Sequence, residues 1–130
     1  MDDHLPDDAE LTALFTAYAE GFDDFDAESI ADCFAFPSTI WQSGKGHVFQ
    51  DRDEILENVE ALLAVFEREE IVHSSFEILD VAQEGAGAFV VLEWRQERED
   101  GEAALEFTCR YALVRSEADP AWRIALAVND

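Results

Sequence analysis

The chain has 130 residues, 48% of them aliphatic or aromatic, with 31 acidic residues against 8 basic ones. That length and apolar content suit a single domain, residues 1–130, with a core of its own, and exclude intrinsic disorder. A formal net charge of −23 repels phosphate backbones and anionic lipid, so neither nucleic acid nor membrane is an expected partner.

The N-terminus, MDDHLPDDAE, is acidic where a signal peptide is basic and then apolar. Met1 to Pro6 offers one Leu for burial and is expected to be poorly fixed. Asp7 and Glu10 have capping-box spacing, and Leu11, Leu14, Phe15, Tyr18 and Phe22 then recur at helical spacing. Asp26 is placed to cap a second, short helix carrying Ile30, Cys33 and Phe34, which Pro37 is expected to stop. Ser38 to Gln42 reads as a strand, SGKG as a turn, and His47 to Gln50 as a returning strand. Asp51 with Glu54 is a second capping box, before Ile55, Val59, Leu62, Leu63 and Phe66 at helical spacing. The remainder reads as four strands: Ile71 to Gln83, Ala88 to Arg98, Ala103 to Ser116 and Trp122 to Val128. Asp100-Gly101 is a hairpin turn between the middle two. The order ααββαββββ predicts an α+β fold with helices on one face of a curved, mostly antiparallel sheet.

No apolar run approaches the roughly 20 residues of a membrane helix. Cys33 and Cys109 sit in apolar patterns without metal-type spacing and read as buried free thiols, which fits a cytoplasmic protein. No metal or cofactor is implied, because no Gly-rich phosphate loop, nucleophile elbow or reactive-cysteine context is present.

The helical stretch LTALFTAYAEGFDDFDAESIADCFA, the strand STIWQ and the ending RYALVRSEADPAWRIALAV resemble the nuclear transport factor 2-like superfamily. That superfamily includes ketosteroid isomerases, scytalone dehydratase and SnoaL-type cyclases, and the likeness is to the SnoaL-like and ketosteroid isomerase-like branch. The resemblance implies a cone-shaped sheet wrapped around a long helix, a pocket at the open end and a homodimer through the outer sheet face. It also sets the three isomerase positions: a first-helix Tyr falls on Tyr18, the base on Gln42 and a second acid near Arg110. Gln42 does not titrate, so proton transfer by that route is not expected. The implied placement turns Gln42 inward beside Ile40.

The hairpin register places Arg95 opposite Glu106, Trp94 opposite Phe107, Glu93 opposite Thr108 and Val91 opposite Arg110. Composition alone buries the face with Val90, Leu92, Trp94, Leu105, Phe107, Cys109, Tyr111 and Leu113. The resemblance instead turns Arg110 and Ala112 to the pocket and leaves Trp94, Phe107 and Tyr111 for a dimer partner. Following it, the pocket candidates are Tyr18, Gln42, Glu93, Glu106 and Arg110, with Arg95, His47 and His73 as further candidates. His73 shares a strand face with Glu77, so a His–Glu pair is one arrangement. Three readings stay open: a pocket protein for a small, largely apolar molecule; an acid–base isomerase, hydratase or epoxide hydrolase using a His or the Glu–Arg cluster; and a dimeric interaction domain with an incidental cavity.

Overall fold

The computed structural model describes residues 6–129, with side chains described from residue 9. Met1–Leu5 lie outside the described residues, as does the Asp7 side chain on which the expected capping box with Glu10 depends, while Pro6, expected among the poorly fixed residues, begins the first helix. The elements are α1 (Pro6–Asp23), α2 (Ala27–Ala31), β1 (Phe34–Gln42), β2 (Lys45–Phe49), α3 (Arg52–Arg68), β3 (Ile71–Glu84), β4 (Gly87–Arg98), β5 (Ala103–Val114) and β6 (Arg123–Asn129). This is the expected α+β order. The expected caps of the two later helices are present. Asp26 Oδ1 accepts from the Ser29 N–H at 3.3 Å, and Asp51 Oδ1 accepts from the Glu54 N–H at 3.0 Å. Glu54 returns the bond by accepting from the Gln50 N–H at 2.7 Å. Pro37 does not end α2. The helix stops at Ala31, and Pro37 lies within β1, where the ladder to β6 is interrupted between Phe34 and Thr39. A proline has no N–H to give a ladder, so a break is where a strand accommodates one.

The six strands form one sheet in the order β2-β1-β6-β5-β4-β3, antiparallel except for β1 with β6. α1 crosses its concave face. Phe15 is fully buried, its ring 4.8 Å from that of Tyr111 and 6.1 Å from that of Phe76. α3 adds Ile55, Val59, Leu63 and Phe66, and Phe66 packs 5.2 Å from Phe22 of α1. Among the described residues no helix is long and apolar enough to cross a membrane.

The β4–β5 register is the expected one, with Trp94 opposite Phe107 and Arg95 opposite Glu106. The expected facing of that hairpin is overturned. Val90, Leu92, Trp94, Cys109, Tyr111 and Leu113 are buried against the helices, and Phe107 is partly buried against the same core, but Leu105 of the same face is 49% exposed. Trp94, Phe107 and Tyr111 therefore cannot be the dimer surface. The physical reason is the simpler of the two cues, since the face with more apolar area is the one removed from water. The opposite face is left outside. On it the paired residues Ala82, Phe89, Ala112, Leu126, Thr39 and Val48 form a row across all six strands. Beside that row the Trp41 ring lies over Gly46, where an added Cβ would come within 2.7 Å of the indole.

Candidate functional site

Of the three isomerase-type positions, only Tyr18 lies inside the cone. It is partly buried, with the rings of Phe15, Phe22, Phe34 and Trp94 around it at 5.1–6.4 Å. Burial, with Cys109 and Cys33 nearby, holds its hydroxyl far above the usual tyrosine range. Beyond it Tyr111 accepts a hydrogen bond from Trp94 Nε1 at 2.8 Å. Tyr111 is an interior phenol that the expected facing had turned outward; the alternation Cys109, Tyr111, Leu113 was the signal that pointed inward. Gln42 has the strand parity of Ile40, but it ends β1 beyond the cover of the helices and is exposed. Arg110 is exposed on the outer face. The isomerase constellation is therefore not assembled.

The placement of Gln42 has a measurable consequence. A carboxylate there stays solvated, so Gln42→Asp is expected to change stability by the same small amount at pH 4 and pH 8 in thermal melts. A penalty that grows with pH would put the residue in an apolar enclosure after all.

Glu93, Arg95 and Glu106 come together on the outer sheet face, with Ser75 and Glu77, around a shallow groove of about 280 Å³. Arg95 donates from Nη1 to Glu106 at 2.6 Å, from Nη2 to the Gly101 carbonyl at 3.1 Å, and from Nε to Glu97. Its second acid is Glu97, not Glu93. His47 and His73 lie on opposite edge strands, and His47 is exposed. His73 bonds Asp23, not Glu77: Nδ1 lies 2.7 Å from Asp23 Oδ2. Asp23 Oδ1 also accepts from the Ser74 N–H at 2.7 Å, so this carboxylate ties the end of α1 to the edge of β3. Among the described residues no group of three or more His, Cys, Asp or Glu side chains could hold a metal ion.

A larger concavity, about 470 Å³, lies between α1, α2 and the approach to β6. α1 contributes Glu10, Ala13, Leu14 and Ala17, which its 3.6-residue period sets on one stripe. Ser29, Asp32 and Cys33 line the second side, and Ala121, Trp122 and Arg123 the third. The Ile124 N–H donates to the Cys33 carbonyl at 2.8 Å and fixes the last two walls together. Trp122 is 3% exposed, and the Arg115 guanidinium lies over its ring, 4.3 Å from the centroid. Arg115 also reaches Glu10 at 3.5 Å and the Gly85 carbonyl at 3.3 Å. Burial pushes the Cys33 thiol up to about 11, so it stays neutral at physiological pH. Sequence reasoning missed this groove, because its walls are small residues from three separate segments and none carries a motif.

The family model for NTF2-like protein (DUF6841) matches residues 8–130. The chain belongs to this NTF2-like family. No curated protein matches it. Solved structures share the fold at low identity. An NTF-2 like protein of unknown function from Shewanella oneidensis is 16% identical, with a TM-score of 0.74 over 96% of this chain and 98% of its own. A ketosteroid isomerase-like protein from Erwinia carotovora atroseptica is 21% identical, with a TM-score of 0.69 over 93% and 92%. A domain of unknown function with a cystatin-like fold from Nostoc punctiforme is 14% identical, with a TM-score of 0.76 over 97% of this chain and 77% of its own. At these identities the likeness is one of fold. What this NTF2-like protein does must be argued from its own side chains.

Proposed function

We propose that this NTF2-like protein binds a small, largely apolar molecule in the groove between α1, α2 and the approach to β6. The observation that carries the reading is the groove itself. Its volume of about 470 Å³ lies within the range of roughly 300–1,000 Å³ common for small-molecule sites, and Ala13, Leu14, Ala17, Cys33, Ala121 and Trp122 dominate its walls. The acid–base alternative has less behind it. The two described histidines are on opposite edges of the sheet, and Arg95 is engaged by Glu97 and Glu106 at the surface. The test is titration with the neutral fluorophore N-phenyl-1-naphthylamine. Saturable binding is expected, and Ala17→Trp, an exposed helical position facing the groove, should weaken it at least about tenfold, the equivalent of 1.4 kcal/mol. Binding untouched by that substitution overturns the assignment.

Pairing and setting belong to the same reading. The outer row through Phe89 and Leu126 suits a second copy of the chain, since Phe89 is 67% exposed and Val48 55%. Sedimentation of the wild type at micromolar concentration is expected to show a dimer that tightens with salt, as repulsion between two protomers of charge −23 is screened. Phe89→Asp should sediment as a monomer; if wild type and variant sediment alike, this face is not the interface. Two free, buried cysteines fit a reducing compartment, and we place the protein in the cytoplasm.

A further inference from the structure

We infer that the ligand of the groove is a neutral molecule with an apolar body and one hydroxyl head, the head being read by Asp32 and Arg123. This deepens the binding reading above and rests on it. The hydrogen bond from Ile124 N–H to the Cys33 carbonyl brings the end of α2 against the start of β6. It thereby sets Asp32 and Arg123, the chain neighbours of Cys33 and Ile124, at the same corner of the groove. Ala13, Leu14, Ala17 and Ala121 line the rest with short apolar side chains.

The charges at that corner are already matched. Asp32 Oδ1 accepts from Arg52 Nη2 at 2.6 Å, and Arg123 gives Nε and Nη2 to Asp119 at 3.0 and 3.4 Å. Glu10, the remaining charged wall residue, faces Arg115 at 3.5 Å. An ammonium head competes with Arg52 for Asp32 and meets Arg123. A carboxylate head meets Asp32 and the field of a protein of charge −23. Neither head finds an unmatched counter-charge. What the corner still offers at its surface is one carboxylate oxygen, Asp32 Oδ2, and one guanidinium nitrogen, Arg123 Nη1, neither with a hydrogen bond among the described residues; Trp122 Nε1 is also without a partner but is buried. A hydroxyl is the simple neutral group that both donates and accepts, and it fits a carboxylate acceptor beside a guanidinium donor. Ser29 takes no part as a donor, because its hydroxyl proton goes to Asp26 Oδ2 at 2.7 Å.

The experiment titrates the full chain, in 0.5 M NaCl to damp the net charge, with naphthalene, 2-naphthol, 2-naphthoate and 2-naphthylmethylammonium, read by calorimetry and intrinsic fluorescence. 2-Naphthol is expected to bind about tenfold tighter than naphthalene, the effect of a hydrogen bond to charged groups. It should also bind tighter than either ion. Asp32→Ala and Arg123→Met should each bring the ratio of naphthol to naphthalene affinity, measured in the same variant, close to one; a change in the groove as a whole moves both affinities and leaves that ratio as it was. If naphthol and naphthalene bind equally, or if an ion binds tightest, the head assignment is overturned and the groove reading stands. An advantage that survives both variants also overturns it. If none of the four binds, or if naphthalene binding survives Ala17→Trp, the groove reading itself fails and this inference falls with it.

Discussion

Phe15→Ala is expected to lower stability by about 3–5 kcal/mol, the range for truncating a fully buried Phe. Urea denaturation should show it as a fall in midpoint with little change in slope. The side chain has no solvent exposure and meets the rings of Tyr18, Phe76 and Tyr111, which come from α1, β3 and β5. A hole there opens at the crossing of the helix and the sheet, where neighbours held by their own strands have little freedom to collapse. Domains of this kind are stable by only about 5–15 kcal/mol, so the loss is a large fraction of the total. The change should reach the groove as well, because Ala13, Leu14 and Ala17 are carried by the same helix. Phe89→Ala is the control: an exposed Phe on the outer face, it is expected to stay within about 0.5 kcal/mol in monomeric protein. A cost below about 1 kcal/mol for Phe15→Ala, or equal costs at the two sites, would mean that α1 does not lie on the concave face.

Much of the fold was legible because it rests on local signals. Asp26 and Asp51 cap the helices they precede, and the hairpin turn sets Trp94 against Phe107. Facing was legible too, in the alternation of Val90, Leu92 and Trp94, but the family alignment pointed the other way and burial of apolar area prevailed. The placement of Gln42 was not legible, because strand parity says which face a residue shares and nothing about where the helical cover ends. The pairing of Asp23 with His73 joins residues fifty positions apart, and no sequence spacing announces it. The groove is the clearest omission. Alanines at helical spacing read as ordinary surface until two other segments are folded against them.

Raising NaCl from 0.1 to 1 M is expected to raise the melting temperature of this protein by at least about 5 °C, equivalent to roughly 1–2 kcal/mol. The screening length falls from about 10 Å to about 3 Å over that range. Salt acts on two opposed sets of interactions. It weakens the arginine pairs, such as Arg52 with Asp32 and Arg98 with Glu69, but pairs this exposed contribute only about 0–1 kcal/mol each. It also relieves repulsion among 31 acidic side chains that 8 basic ones cannot neutralise, and that set prevails by number. α3 shows the imbalance locally. Asp53, Glu54, Glu57, Glu60 and Glu67 are exposed on it, with Arg52 and Arg68 as its only basic residues. Glu57 stands four residues after Asp53, three after Glu54 and three before Glu60, so it meets like charges on both sides. Glu57→Lys turns all three contacts attractive and should stabilise by about 1 kcal/mol at 0.1 M NaCl. That gain should shrink in 1 M NaCl, because the contacts that produce it are themselves screened. This second measurement separates screening from a general effect of salt on apolar burial, which would raise wild type and variant equally and leave their difference unchanged. A wild-type melting temperature that is flat or falling with salt would show that the arginine pairs outweigh the repulsion, and that the acidic surface carries no stability penalty.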